Sequence, residues 1–209
     1  VGERVFEGAK SRRPGTTVAY VHRVHSLDDP TPPPSPTDTA VIVPVPAAER
    51  AVGPHRVRLD RAAGWGVPAH VTVLYPFLPA DALSDDALDH LAAAIASEPA
   101  FDATFTAPGW FGSDVLWVGP DPAEPFRRLT RAVWRAFPGQ PPYGGVFDDI
   151  HPHLTVAERS SGAPGDLERA EEALRPQLPF AQRVDHALLI AGTDAPRSWR
   201  TVRRLPLGA

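Results

Sequence analysis

The sequence predicts an α+β fold of two like lobes around a central cleft, built from two mainly antiparallel sheets with flanking helices. Three observations lead there. Short apolar strands and amphipathic helices follow one another in an order that recurs once. Each recurrence opens on a strand of the form His-x-Thr, His70-Val-Thr-Val and His153-Leu-Thr-Val. The 209 residues, 43% hydrophobic and 22% charged, suffice for one globular core shared by two small lobes.

Residues 1–38 mix charges with the proline tract Pro30 to Pro36 and hold no sustained period, which predicts a flexible extension and Pro-rich linker. Within it only Thr17 to Val24 has the character of an edge strand. Residues 39–209 are expected to form a single two-lobed domain. It begins with a strand at Val41 to Val45, where Pro44 points to a sheet edge or a strand end. The polar, Ala-rich stretch Ala47 to Ala63 is helical in parts, and His70 to Phe77 is the next strand. Ser84 stands as N-cap of a helix over Asp85 to Ser97, whose Leu88, Leu91, Ala92 and Ile95 repeat at helical spacing. Phe101 to Ala107 and Val115 to Val118 read as a hairpin around Gly109-Trp-Phe-Gly112.

The second series runs through a helix at Pro125 to Phe137, a strand at His153 to Ala157 and a helix at Asp166 to Leu178. Strands at Arg183 to Ala191 and Trp199 to Leu205 finish it. Counted from His70 and His153 respectively, Ser84 at the next helix start and Asp166 at its counterpart come 14 and 13 residues on, the next strand 31 and 30, and the last strand 45 and 46. Agreement in order, type and spacing indicates an internal duplication. Two lobes related by a pseudo-twofold axis follow, each presenting its own histidine.

Composition removes several function classes. There are no cysteines, which excludes disulfide frameworks, thiolate zinc sites and cysteine nucleophiles. No apolar run is long enough to span a bilayer and no signal-peptide pattern is present, so a cytoplasmic protein without membrane contact is expected. A net charge of -4 argues against extended nucleic-acid binding. A small nucleotide or an RNA end remains the expected partner, because one or two arginines can hold a phosphate.

Strand alternation puts Val71 and Val73 on one face and His70 and Thr72 on the other, and likewise separates Leu154 and Val156 from His153 and Thr155. An imidazole and a hydroxyl from each lobe, facing one another, suit phosphodiester cleavage. Histidine titrates near neutrality and serves as base or acid, while threonine hydroxyls donate to phosphate oxygens. Neither a metal nor a cofactor is needed. The paired motifs, each preceded by proline within two residues, resemble those of the 2H phosphoesterases, the superfamily of 2′-5′ RNA ligase-like proteins and cyclic nucleotide phosphodiesterases. The resemblance spans residues 41–207 and carries over His70, Thr72, His153 and Thr155. It implies a bilobal α+β fold with the motifs facing across a cleft, and hydrolysis of 2′,3′-cyclic phosphates, or transfer or ligation at 2′-5′ linkages.

Two alternatives stand beside this reading. The cleft could belong to a non-catalytic module that binds nucleotides or RNA ends. Alternatively, His151 and His153, with Asp148 and Asp149 nearby, form a His-x-His pattern that could serve a metal-dependent hydrolase. For substrate binding the expected residues are Tyr143, Tyr75 and Arg200. Gly144 and Gly145 make the Tyr143 loop pliable, Tyr75 follows the first motif, and Arg200 belongs to the C-terminal run Arg197, Arg200, Arg203, Arg204. Trp110, Phe111, Phe147 and Trp199 are further aromatics near the cleft by sequence, and Arg58 and Arg61 precede the first motif without an assignment.

Overall fold

The structure, a computed structural model, describes residues 35–146 and 149–209. The candidate strand at 17–24, the extension up to residue 34, Phe147 and Asp148 lie outside the described residues. The elements run β1 (Asp38–Pro44), α1 (Glu49–Leu59), α2 (Arg61–Gly64), β2 (His70–Leu74) and α3 (Asp85–Ala96). They continue with β3 (Phe101–Phe111), β4 (Val115–Asp121), α4 (Glu124–Ala136), β5 (Leu154–Glu158), α5 (Asp166–Leu174), β6 (Phe180–Val184), β7 (His186–Gly192) and β8 (Arg200–Pro206).

Two four-stranded antiparallel sheets result, in the orders β2-β1-β7-β8 and β5-β4-β3-β6. Each has a His-x-Thr strand on one edge, and its inner neighbour is the strand that precedes it across a helix. The helices cross over: α1, from the first sheet's unit, packs on β5, while α4 packs on β2. Each sheet thus lends a helix to the other's histidine strand, and one apolar core spans both lobes, including Val41, Val71, Val73, Leu116, Leu154 and Val156. Ser84 caps α3 as its position predicts, its hydroxyl accepting from the Ala87 N–H at 3.2 Å.

Three sequence expectations change in detail. Arg183 to Ala191 is two strands, because Val184 pairs with Phe101 in the second sheet while His186 pairs with Pro206 in the first. The exposed Asp185 between them makes the break. In consequence Val115 to Val118 and Trp199 to Leu205, equivalent by offset, take different places: β4 lies beside a histidine strand and β8 at a far edge. The hairpin turn is Gly112 to Asp114, later than expected except for Gly112, since β3 continues to Phe111 and pairs Gly109 with Trp117. At the start, Asp38 is already in β1, opposite Gly192. Pro44 ends that inner strand, where its missing N–H interrupts no further ladder. Among the described residues no helix is long and apolar enough to cross a membrane.

Both sheets carry a tryptophan laid over a glycine of the neighbouring strand. A Cβ on Gly109 would come within 2.2 Å of the Trp117 ring, and one on Gly192 within 2.5 Å of the Trp199 ring. Trp117 pairs directly with Thr155 and shares its face of the sheet. Trp199 joins Ala40, Ile42, Val67 and Ile190 in a small apolar cluster apart from the main core. Gly109→Ala and Gly192→Ala should each lower stability by about 1–3 kcal/mol, as overpacking of a fitted site does. Urea denaturation followed by tryptophan fluorescence measures this, with a red-shifted native emission marking the displaced indole.

Candidate active site

The edges formed by β2 and β5 meet. Beside them lies a cavity of about 300 Å³ lined by His70, Thr72, Thr155, Tyr75 and Tyr143, together with Trp65 and Trp199. Strand parity holds in both motifs: Val71 and Val73 are 1% and 3% exposed, Leu154 and Val156 are fully buried, and both histidines and both threonines are partly exposed. His153 is not part of the cavity lining. It lies two residues before Thr155 and near enough for its charge to act on His70.

The two imidazoles are held in the same way. His70 donates its Nδ1–H to the Pro68 carbonyl at 2.8 Å, and His153 donates its Nδ1–H to the His151 carbonyl at 2.7 Å. A carbonyl only accepts, so the proton resides on Nδ1 and Nε2 is the nitrogen left to titrate and to meet a ligand. Burial and the positive charge of Arg56 push the His70 pKa down to about 3, with a smaller contribution from His153, against the opposing effect of the Pro68 bond. Burial also lowers His153, aided by the charge of His151 and opposed by the His151 carbonyl. Around His153 stand Phe111, edge-on at 4.8 Å between centroids, and Trp117 at 6.5 Å.

Tyr143 shares a hydrogen bond with Thr72, and burial raises its pKa despite that bond. Its loop is pinned: the Tyr143 N–H donates to the Tyr75 carbonyl at 2.8 Å. The glycines serve geometry here, since Tyr143, Gly144 and Gly145 have φ of 52°, 64° and 78°, a left-handed run that only glycine adopts without cost. Arg200 is not brought to the cavity. It is exposed and donates to the Trp199 carbonyl at 2.8 Å, while Arg203 and Arg204 pair with Asp89 and Asp185.

Arg61, left unassigned by the sequence, does line the cavity. Its Nε donates to Glu158 at 3.2 Å, and its guanidinium lies 5.8 Å from the Trp65 ring. Simple alternation hides Glu158, because an irregularity in the β4–β5 pairing puts Val156 and Ala157 both in the core and returns Glu158 to the cleft. Asp60 is also in the lining and is bound to the buried Arg56. For the His-x-His pattern, the rings of His151 and His153 are 6.4 Å apart and His151 packs against Trp117 at 4.8 Å. Among the described residues, no three His, Asp or Glu side chains converge as metal ligands would.

The depressed histidines make stability depend on pH. In the unfolded chain a histidine takes its proton near pH 6.5, whereas folded His70 does so only near 3. The unfolded state binds more protons between these values, so stability is fully present above about pH 6.5 and falls on acidification toward pH 3. Urea denaturation across this range should give a shallower decline for His70→Gln than for the wild type.

No curated protein matches the chain. Among solved structures, apo LigT of E. coli is 19% identical, with 83% of this chain and 99% of LigT covered and a TM-score of 0.53. LigT complexed with 3′-AMP is 20% identical, covering 84% and 100%, with a TM-score of 0.52. TT0787 of Thermus thermophilus is 18% identical, covering 81% and 97%, with a TM-score of 0.54. At these identities the likeness is one of fold. The model of the 2′-5′ RNA ligase superfamily matches residues 43–195, most of the described chain, and the protein belongs to that superfamily.

Proposed function

We propose that the protein is a metal-independent phosphodiesterase acting on 2′,3′-cyclic phosphates, or on 2′-5′ linkages, of nucleotides or RNA ends. The observation that carries this reading is the matched hold on two imidazoles. Each has its proton on Nδ1, fixed by a carbonyl, and its Nε2 available. In the reaction one Nε2 removes a proton from the attacking water or ribose hydroxyl as a new P–O bond forms. The other, protonated, gives its proton to the ribose oxygen as the old P–O bond breaks. Thr72 and Thr155 donate to the non-bridging oxygens, where charge builds in the transition state.

The rest of the cavity suits the nucleoside. Ile42, Val67 and Ile190 make an apolar floor between Trp65 and Trp199, with Tyr75 exposed at its edge, a setting in which a base can stack at a gain of about 1–3 kcal/mol. Arg61 supplies the cation for a phosphate in place of Arg200, and Tyr143 steadies Thr72. Likeness of fold to LigT, which has been crystallised with 3′-AMP, agrees with a nucleotide ligand.

Turnover of 2′,3′-cyclic AMP in the presence of EDTA tests the proposal, and its loss to the chelator would overturn it. His70→Ala and His153→Ala should each cost on the order of 10² to 10⁴ in kcat. The double variant should cost far less than the product, because the two act as a unit. Thr72→Ala and Thr155→Ala should be milder. The rate should pass through a maximum with pH, its acid limb set by the base and its alkaline limb by the acid.

A further inference from the structure

Three charged side chains stand in the cavity lining, Asp60, Arg61 and Glu158. Asp60 is fully engaged: its Oδ2 accepts from the buried Arg56 at 2.8 Å and its Oδ1 from the Ala62 N–H at 2.9 Å. Its charge is offset within the wall itself. Arg61 and Glu158 make a second pair, one at the start of α2 and the other at the end of β5. Their contact is a single hydrogen bond, Nε to Oε2 at 3.2 Å, which leaves both Arg61 amino groups and the Glu158 Oε1 without a bond to any described residue. Arg61 can therefore donate to a phosphate while Glu158 meets its charge.

A carboxylate in a site that takes an anion repels its ligand. Glu158 nevertheless reaches the cleft, through the irregularity between β4 and β5. Toward Tyr75 the lining is aromatic, and the charges acting there are also negative, those of Asp38 and Asp194. Arg197 and Arg200, near Trp199 in the chain, are not in the lining. The surroundings of the phosphate thus limit how much negative charge they can match. A cyclic phosphate or other phosphodiester carries one negative charge, whereas the phosphomonoester formed by opening it carries nearly two at neutral pH. In a lining whose own charges cancel, the single charge of a diester meets the one protonated imidazole of the reaction. The second charge of a monoester meets Glu158, with no cation left to match it.

We propose that Glu158 is a specificity-determining residue: paired with Arg61 it cancels the charge of the lining, so the cavity takes phosphodiesters with one negative charge and discriminates against phosphomonoesters, the product of its own reaction included. The inference rests on the phosphodiesterase reading above and adds to it the charge class that the site selects.

Equilibrium binding to the full-length protein tests this with two ligands that differ by one methyl group and one charge. The first is 2′-deoxyadenosine 3′-(methyl phosphate), a diester without the 2′-hydroxyl that ring closure needs, and the second is 2′-deoxyadenosine 3′-phosphate. Calorimetry at about pH 7.5 keeps the monoester close to doubly charged. Glu158→Gln should shift the ratio of dissociation constants toward the monoester by about three- to tenfold, a modest effect because the Arg61 side chain is 63% exposed and water screens the pair. Arg61→Met should shift the ratio toward the diester. The double variant, again without net charge, should return it to the wild-type value. Raising the salt concentration should shrink each shift. Under turnover of 2′,3′-cyclic AMP, Glu158→Gln should be inhibited more strongly by its product. A ratio unmoved in Glu158→Gln, or moved in one direction by both single variants as loss of a merely structural tie would do, overturns the inference and leaves the phosphodiesterase reading standing. A wild type that binds neither ligand overturns that reading and this inference with it. Should Glu158→Gln fail to fold, Arg61→Met and Arg61→Lys decide: the ratio must move toward the diester in the first and stay in place in the second, where the charge is kept.

Discussion

Both halves of the cleft depend on one bond, an imidazole Nδ1–H given to a main-chain carbonyl two residues upstream. It holds the ring against rotation and keeps the tautomer in every protonation state, leaving Nε2 as the only nitrogen that changes charge. The bond requires an extended approach to the histidine. In the second lobe Pro152 favours this, since the accepting carbonyl is that of His151 and a residue before proline is driven away from the helical region, whereas in the first lobe the accepting carbonyl is Pro68's own.

Helix crossing is what turns two such strands into one site. Because α1 packs on β5 and α4 on β2, each histidine strand is covered by a helix belonging to the opposite unit. The buried faces of β2 and β5 join a common core. Separating the edges would expose Val71, Val73, Leu154 and Val156, all near zero exposure, at a cost of about 1.5–3 kcal/mol for each large aliphatic side chain. The distance across the cleft is thus maintained by the core rather than by contacts between the histidines themselves.

The two lobes are alike in scaffold and unlike in lining. Each presents a tryptophan flat over a glycine, yet Trp199 closes an apolar chamber with Trp65 and Tyr75, whereas Trp117 is covered by His151 and Phe111 against His153. The cavity beside the two strand edges therefore has its apolar lining on the His70 side. The buried Arg56–Asp60 pair lies on that side as well. A duplicated frame has in this way acquired a polarity, with a buried Arg56–Asp60 ion pair beside the approach to one histidine and the partly exposed Arg127 beside the approach to the other.

Much of this was legible in the chain. Period-two alternation told which side chains of Ala69 to Val73 and of Pro152 to Val156 face the core, because that pattern is a property of each strand alone. Ser84 announced its helix for an equally local reason. Partnership between distant segments was not legible. The division of Arg183 to Ala191 between two sheets, the pairing irregularity that returns Glu158 to the cleft, the exclusion of Arg200, and the burial of Arg56 each depend on what stands opposite. The sequence by itself determined an α+β chain with two His-x-Thr strands, each with an imidazole and a hydroxyl on one face. Only the tertiary structure decided which edges meet, which arginine reaches the cavity and which histidine has a buried ion pair beside its approach, because periodicity orients a side chain about its own strand while pairing and burial arise between residues far apart in the chain.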